Sequence, residues 1–193
     1  MALNKKIKAA WNSSNLAVTW GKVSKADGYE VYAAKCGDKY TKVKTVKGNK
    51  TLKYTVKKIK GKKLDPKRSY KVCVKAYRII DGKKKYTGTS YGIHTVGPKN
   101  KTYTNAKSVK ASKKSVTLKK GKNQKVSVKI TKQTSKKKLL KSSHVANLRY
   151  FSTNAKVATV TKSGTIKAAG KGSCTVYALA ANGVKTTVKV TVK

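Results

Sequence analysis

The chain has 193 residues and carries 49 lysines and arginines against 5 aspartates and glutamates, a formal net charge of +44. That length suits one large domain or two of about 100 residues each, and 38% hydrophobic residues alternating with lysine exclude the disordered basic tail that such a charge would otherwise suggest. No apolar run approaches the ~20 residues of a membrane helix, so membrane insertion is not expected.

Only Arg68, Arg78 and Arg149 are arginines, so nearly all of the charge is lysine. Residues 1–98 hold 25 cations and 5 acids, whereas residues 99–193 hold 24 cations and no acid. Different acid usage in two halves of domain size predicts two domains, 1–98 and 99–193. Met1-Ala2-Leu3 followed by lysines lacks the apolar core of a signal peptide and reads as the start of an internal fragment.

In chain order, Leu16–Trp20 alternates with Leu16, Val18 and Trp20 on one face, and Lys25–Gly28 turns the chain into Tyr29–Ala33. Tyr40–Val46 and Leu52–Val56 follow the turn signals at Gly37-Asp38 and Gly48-Asn49. Ser69–Tyr77 places Tyr70, Val72, Val74 and Ala76 inward, Asp81-Gly82 marks a hairpin, and Thr89–Val96 closes the first half. The tryptophan ending the second strand, the run Ala26–Tyr32 opening the third and the tyrosine starting the sixth resemble bacterial fibronectin type III domains. That resemblance covers roughly residues 3–97. It implies a β-sandwich in which the Tyr70 hydroxyl bonds back to the upstream backbone at the corner before its strand.

The second half begins after Gly97–Asn100. Ser115–Gly121, Lys125–Ile130 and Tyr150–Val160 read as strands, followed by a turn at Lys162–Gly164. Thr165–Gly172 and Cys174–Ala178 come next, and Asn182-Gly183 closes a last hairpin with Val184–Val192. The Leu118–Gly121 turn, Ser152–Val160 and Gly164–Gly172 resemble the bacterial immunoglobulin-like group 2 domain of intimin- and invasin-type surface proteins and of secreted clostridial enzymes. Tyr150 stands where that family usually has tryptophan. Residues 132–147 read as an insertion, a loop or a short helix. The expected fold class is all-β, two tandem immunoglobulin-like β-sandwiches, with Trp20, Val31 and Val74 in one core and Val128, Tyr150 and Val176 in the other.

Residues able to do chemistry are scarce. Gly88–Gly92 matches a G-x-S-x-G nucleophile elbow, with His94 and Asp81 near it in sequence. The elbow needs a strand-to-helix turn, and here it opens a strand, so catalysis at Ser90 is not expected and the chain reads as a non-enzyme. Asp27 and Asp38 read as turn formers and Glu30 as a partner for lysines, leaving no carboxylate pair for glycoside hydrolysis and no oxygen cluster for calcium. His94 and His144 read as surface or loop histidines. Cys36, Cys73 and Cys174 have no metal-ligand spacing, so neither a metal nor another cofactor is expected. By alternation Cys36 and Cys73 point outward and Cys174 inward. The pairing the resemblance implies sets Tyr32, not Cys36, beside Cys73.

Lysine is the remaining signal. Lys42, Lys44, Lys71, Lys75, Lys125, Lys129 and those of Val184–Lys193 take outward positions, and same-face residues of a strand lie about 6.6 Å apart. The loops add Lys57, Lys58, Lys60, Lys62 and Lys63, then Lys83, Lys84 and Lys85, then Lys136, Lys137, Lys138 and Lys141. These twelve are the candidate polyanion-binding residues. Solubility needs a net charge of only about 2–8, and a larger excess costs self-repulsion. Lysine offers diffuse attraction rather than the bidentate recognition of arginine, and the tyrosines fall mostly on core-facing or strand positions, leaving no stacking platform. Nucleic acid is therefore expected to bind only non-specifically. With the resemblance, these features suggest an extracellular or cell-surface module that spaces or anchors a larger parent protein on anionic polymers such as teichoic acid. The competing reading is an adhesin module that binds a host sulfated glycan or protein.

Overall fold

Strand after strand presents apolar side chains on one side and lysine or threonine on the other, because successive residues of a β-strand point to opposite faces. Putting the apolar faces together gives two immunoglobulin-like β-sandwiches. The structure is a computed structural model that describes residues 2–140 and 145–193, and it divides into the units Met1–Thr104 and Asn105–Lys193.

In the first unit a short helix, Ala2–Lys6 (α1), precedes Lys8–Asn12 (β1) and Asn15–Thr19 (β2), which pair with Lys53–Val56 (β5) in the order β1-β2-β5. The second sheet runs β10-β8-β3-β4, built from Ile93–Val96 (β10), Ser69–Ile80 (β8), Gly28–Lys35 (β3) and Thr41–Lys47 (β4), with Lys83–Thr89 (β9) also on β8. Leu16 and Val18 of one sheet and Tyr29, Val31, Val72 and Val74 of the other are fully buried. Trp20 joins them, its ring 5.5 Å from that of Tyr29. Burying a side chain of this kind contributes about 1.5–3 kcal/mol.

The corner before β8 takes the expected form. The Asp65 amide donates to the Tyr70 hydroxyl at 2.8 Å, and the Tyr70 ring meets Trp11 edge-on at 5.7 Å. Asp81 and Gly82 have φ of 51° and 70°, the double left-handed geometry of a two-residue hairpin, and set Ile80 opposite Lys83. Lys60 and Gly61, with φ of 49° and 77°, make a second such hairpin between Lys58–Ile59 (β6) and Lys62–Lys63 (β7).

After Tyr103–Thr104 (β11), the second unit pairs Ala106–Ala111 (β12) with Val128–Lys132 (β15). Its four-stranded sheet is β13-β21-β20-β17, from Ser115–Leu118 (β13), Leu148–Ser152 (β17), Gly172–Ala180 (β20) and Lys185–Val192 (β21). A third sheet joins Asn123–Lys125 (β14), Thr165–Ala168 (β19) and Ala158–Val160 (β18), and Lys138–Leu139 (β16) is a short strand. Val116, Val126, Val157, Ile166, Val176 and Val190 form the core.

Several expectations need correction. The strand read over 125–130 breaks at Val126: β14 pairs with β19, β15 pairs with β12, and the chain changes sheets between them. Val128 is therefore half-buried, packed on a smaller cluster of Ala106, Val109 and Ala180. Tyr150 is also half-buried, its ring end lying against Gly164, where any Cβ would come within 3.1 Å of it. Between 132 and 147 the described residues form a turn, closed by the Lys137 amide on the Thr134 carbonyl at 3.2 Å, and then β16. Lys141 and His144 lie outside the described residues. His94 is a buried strand residue of β10 rather than a surface or loop one. It stands beside Gly92, whose bare α-carbon also accommodates the Tyr40 hydroxyl.

Ser90 explains why the closing strand is two strands. Its amide donates to the Val74 carbonyl at 2.9 Å, and its hydroxyl accepts from the Val74 amide at 2.9 Å and donates to the Tyr91 carbonyl at 3.0 Å. A side chain thus replaces one rung of the ladder where β9 ends. Ser90→Ala is expected to leave the buried Val74 amide unpaired and cost about 1–3 kcal/mol, measured as a lower urea midpoint, with no change in any background ester hydrolysis. A fluorophosphonate adduct on Ser90 would contradict this role.

The thiols behave differently from their alternation pattern. Tyr32 does stand opposite Cys73, but Cys73 is buried although its side of the sheet faces outward, as is Cys174 on the inner side. Burial pushes both the Cys36 and Cys73 thiols up to about 11, partly offset by Lys71 for Cys36 and by Lys75 and Lys71 for Cys73. Thiol titration of the native protein near pH 8 is expected to find one group, Cys36, reacting about 100-fold more slowly than a free thiol because so little of it is thiolate, and three groups after denaturation. Two fast native thiols would overturn this.

Candidate polyanion-binding surface

The twelve candidate lysines fall into three local groups. Lys57 follows β5, and Lys58, Lys62 and Lys63 stand on the β6–β7 hairpin with Lys60 in its turn; all five are exposed. Part of this group, Lys60, Lys62 and Lys63, joins Lys35 around a groove of roughly 370 Å³. Asp38, Ile59, Leu64 and Tyr70 complete its lining. Lys83, Lys84 and Lys85 lie along β9 opposite Ile80, Ile79 and Arg78. Lys136 and Lys138 are exposed and Lys137 half-buried. The Lys137 carbonyl accepts from Lys132 Nζ at 2.7 Å.

Lys84 is drawn into a polar cluster of the first unit centred on Glu30. By alternation Glu30 sits on the outer side of β3, yet it is only 1% exposed. Its Oε1 accepts from Lys84 Nζ at 2.7 Å and from Lys42 Nζ at 3.4 Å. Its Oε2 accepts from the hydroxyls of Tyr32 and Tyr86, each at 2.6 Å. Burial alone would raise the Glu30 pKa, but the hydrogen bonds from Lys84, Tyr32 and Tyr86 outweigh it and hold the group at about 2. Burial and the bond to Glu30 push the Tyr32 hydroxyl well above the usual phenol range.

Around this carboxylate the tyrosines and lysines interleave. Lys75 Nζ stands 4.8 Å from the Tyr32 ring centre and 5.0 Å from that of Tyr86. Lys84 Nζ lies 4.5 Å from the ring of Tyr77, and Lys71 Nζ 4.7 Å from that of Tyr40. Such contacts contribute about 0.5–1 kcal/mol each at exposed sites. Tyr40 and Tyr86 remain 38% and 49% exposed. Each of these two exposed rings is faced by a lysine, Lys71 at Tyr40 and Lys75 at Tyr86. The cluster around Glu30 had a signal in the sequence, since placing Tyr29, Val31 and Ala33 inward puts Glu30 and Tyr32 on the outer side together.

Among the described residues, no group of three or more His, Cys, Asp or Glu could hold a metal ion, and no helix is long and apolar enough to cross a membrane.

Glu30 gives the protein a defined acid response. Its folded pKa lies below its unfolded value, so its contribution is complete above about pH 4.5 and is lost as pH falls through about 2. Urea denaturation at pH 6 and pH 2 is expected to show a loss on the order of 2–3 kcal/mol from this group. Glu30→Gln should remove most of that pH-dependent loss. An unchanged acid profile in the variant would refute the assignment.

Comparison with known proteins bears on the second unit most directly. Residues 105–192 match the family described as bacterial Ig-like domain (group 2). Among solved structures, domains 4 and 5 of the S-layer protein SbsC align over 94% of this chain and 84% of that one, at 17% identity and a TM-score of 0.37. The FN1–FN3 domains of chicken CNTN1 align over 96% and 64%, at 14% identity and a TM-score of 0.33. A C-terminal 282-residue fragment of intimin, solved with the intimin-binding domain of the translocated intimin receptor, aligns over 96% and 62%, at 12% identity and a TM-score of 0.29. No curated protein matches the chain. The match over residues 105–192 makes the second unit a bacterial Ig-like domain of group 2, C-terminal to another immunoglobulin-like sandwich.

Proposed function

We propose that this chain is a non-catalytic extracellular module that spaces or anchors a larger surface protein, binding anionic cell-wall polymers such as teichoic acid through its lysines. The observation that carries the reading is the coherent outward placement of lysine on sandwiches whose second half holds no acid at all. A polymer with regularly spaced anions gains from many weak contacts and releases a counterion at each, which suits flexible lysines better than a single built pocket. The first unit is proposed to be a fibronectin type III domain, supported by the Asp65–Tyr70 corner and the Ala26–Tyr32 run. The non-catalytic reading is supported by Ser90, whose hydroxyl is used in closing the sheet. The exposed Tyr40 and Tyr86 rings favour a second reading, an adhesin that stacks on a host sulfated glycan.

Retention on purified cell walls, before and after teichoic acid extraction, distinguishes these. Anchoring predicts retention that falls steeply between 50 and 200 mM salt, the range over which 6–10 phosphate contacts on DNA lose about 10³–10⁵ in affinity. It also predicts loss of retention on extracted walls and competition by heparin and DNA. Replacing Lys136, Lys137, Lys138 and Lys141 with glutamine should reduce affinity and salt slope without lowering the melting temperature. Equal retention on both wall preparations, or insensitivity to salt, would move the assignment to the adhesin.

A further inference from the structure

At one end of the first unit two loops are stitched together and bring four cations around one groove. The Gly97 amide donates to the Arg68 carbonyl at 2.9 Å and the Lys99 amide to the Pro66 carbonyl at 3.0 Å. The Asn100 side-chain amide donates to the Lys67 carbonyl at 2.7 Å. Gly97 allows this approach, since a Cβ there would fall 2.1 Å from the Pro66 carbonyl oxygen. The corner itself is braced by the Asp65 amide on the Tyr70 hydroxyl and by the Arg68 amide on the Asp65 carbonyl at 3.0 Å. Between the loops lies a groove of roughly 390 Å³ lined by Lys67, Arg68, Lys99 and Lys101, with Asn100 and Thr102.

Asp65 is the one acid on its wall, and that carboxylate is already engaged. Oδ1 accepts the Lys67 amide at 2.8 Å, and Oδ2 lies 3.6 Å from Arg68 Nε. Asn100 Oδ1 accepts the amides of Thr102 and Tyr103. The Arg68 side chain is 66% exposed, and its terminal NH₂ groups retain the planar fork that grips two oxygens of a tetrahedral anion. These cations stand on backbone fixed by hydrogen bonds across the loops, so the loops themselves need no ordering on binding. The volume lies near the lower end of the range for ligand sites.

We propose that this groove is a specific subsite for one phosphodiester unit of a polyol-phosphate polymer, held in two-point contact by Arg68 and neutralised by Lys67, Lys99 and Lys101. The proposal rests on the anchoring reading above and adds a defined seat to it.

The test uses the full chain with purified poly(glycerol phosphate) as probe and heparin as the sulfate counterpart. Lys67→Gln/Lys99→Gln/Lys101→Gln is compared with the charge-matched control Lys107→Gln/Lys110→Gln/Lys113→Gln, and Arg68→Lys is measured alone. The groove triple is expected to lose about tenfold more affinity for poly(glycerol phosphate) than the control, and Arg68→Lys to lose several-fold with an unchanged salt slope. Unchanged melting temperatures would show that the fold is intact. Equal losses in both triples with Arg68→Lys silent would overturn the subsite and leave diffuse anchoring standing. A groove-specific loss for heparin alone would overturn the phosphodiester assignment. Should the wild type bind neither polymer, the anchoring reading fails. Amide shifts with glycerophosphoglycerol then decide the groove: saturation at Arg68 and Lys101 upholds it, and no saturation overturns it.

Discussion

Everything in this molecule is built under one constraint, the repulsion among 49 cations that only 5 acids oppose. The Debye length at physiological ionic strength is about 8 Å, longer than the ~6.6 Å between same-face residues of a strand, so salt alone does not silence a row of lysines. The first unit answers with Glu30. It sits on β3 between β4 and β8, where lysines from β4 and β9 reach its carboxylate, and the tyrosines on either side separate the remaining charge. An ionised group so deeply buried is tolerable only because four donors meet its oxygens.

The second unit has no acid and meets the same constraint with hydroxyls. Lys189 stands between Thr175 on β20 and Ser115 on β13, and Ser173 meets Thr191 across the same sheet at 3.4 Å. Interleaving threonine keeps ammonium groups from direct cross-strand opposition, which is destabilising when like charges meet. Lys110 opposite Lys129 breaks that pattern, as Lys58 opposite Lys63 does in the first unit. At these places the fold carries repulsion that a bound anion would relieve.

Alternation made the core legible, because a period of two assigns Val18, Val31, Val74 and Val176 to one face without knowledge of the partner strand. The Asp81-Gly82 hairpin was legible too, since it follows from local chemistry, and the Tyr70 corner was legible through the resemblance to fibronectin type III domains. What alternation cannot supply is the cover provided by neighbouring strands. Cys73 and Glu30 hold outward positions yet are buried, because Lys71, Lys75 and Tyr32 lie around one and Tyr32, Tyr86 and Lys84 around the other. The sheet change at Val126 was hidden because apolar and polar residues keep alternating through it while the hydrogen-bonding partner switches. Of the candidate site, the lysines were found as runs, but the groove at Arg68 was not. Its two loops are about thirty residues apart, and only Gly97 allows them to meet.

Two kinds of positive charge therefore coexist on this chain. The rows on the strands follow the outward positions of alternating lysine and valine, and they attract any polyanion in proportion to its charge. The groove is different in origin, since the hydrogen bonds from Gly97, Lys99 and Asn100 would fix the loops equally well if the residues at 67, 68, 99 and 101 were neutral. Beyond the ion pair of Arg68 with Asp65 at 3.6 Å, charge placed there adds to a repulsion already large. Of the three arginines, Arg68 is the one lining this groove, where a planar fork has most to offer a tetrahedral anion. On the anchoring reading proposed above, diffuse rows would give capture from a distance, and a groove at a fixed place on the fold would give register along a repeating polymer.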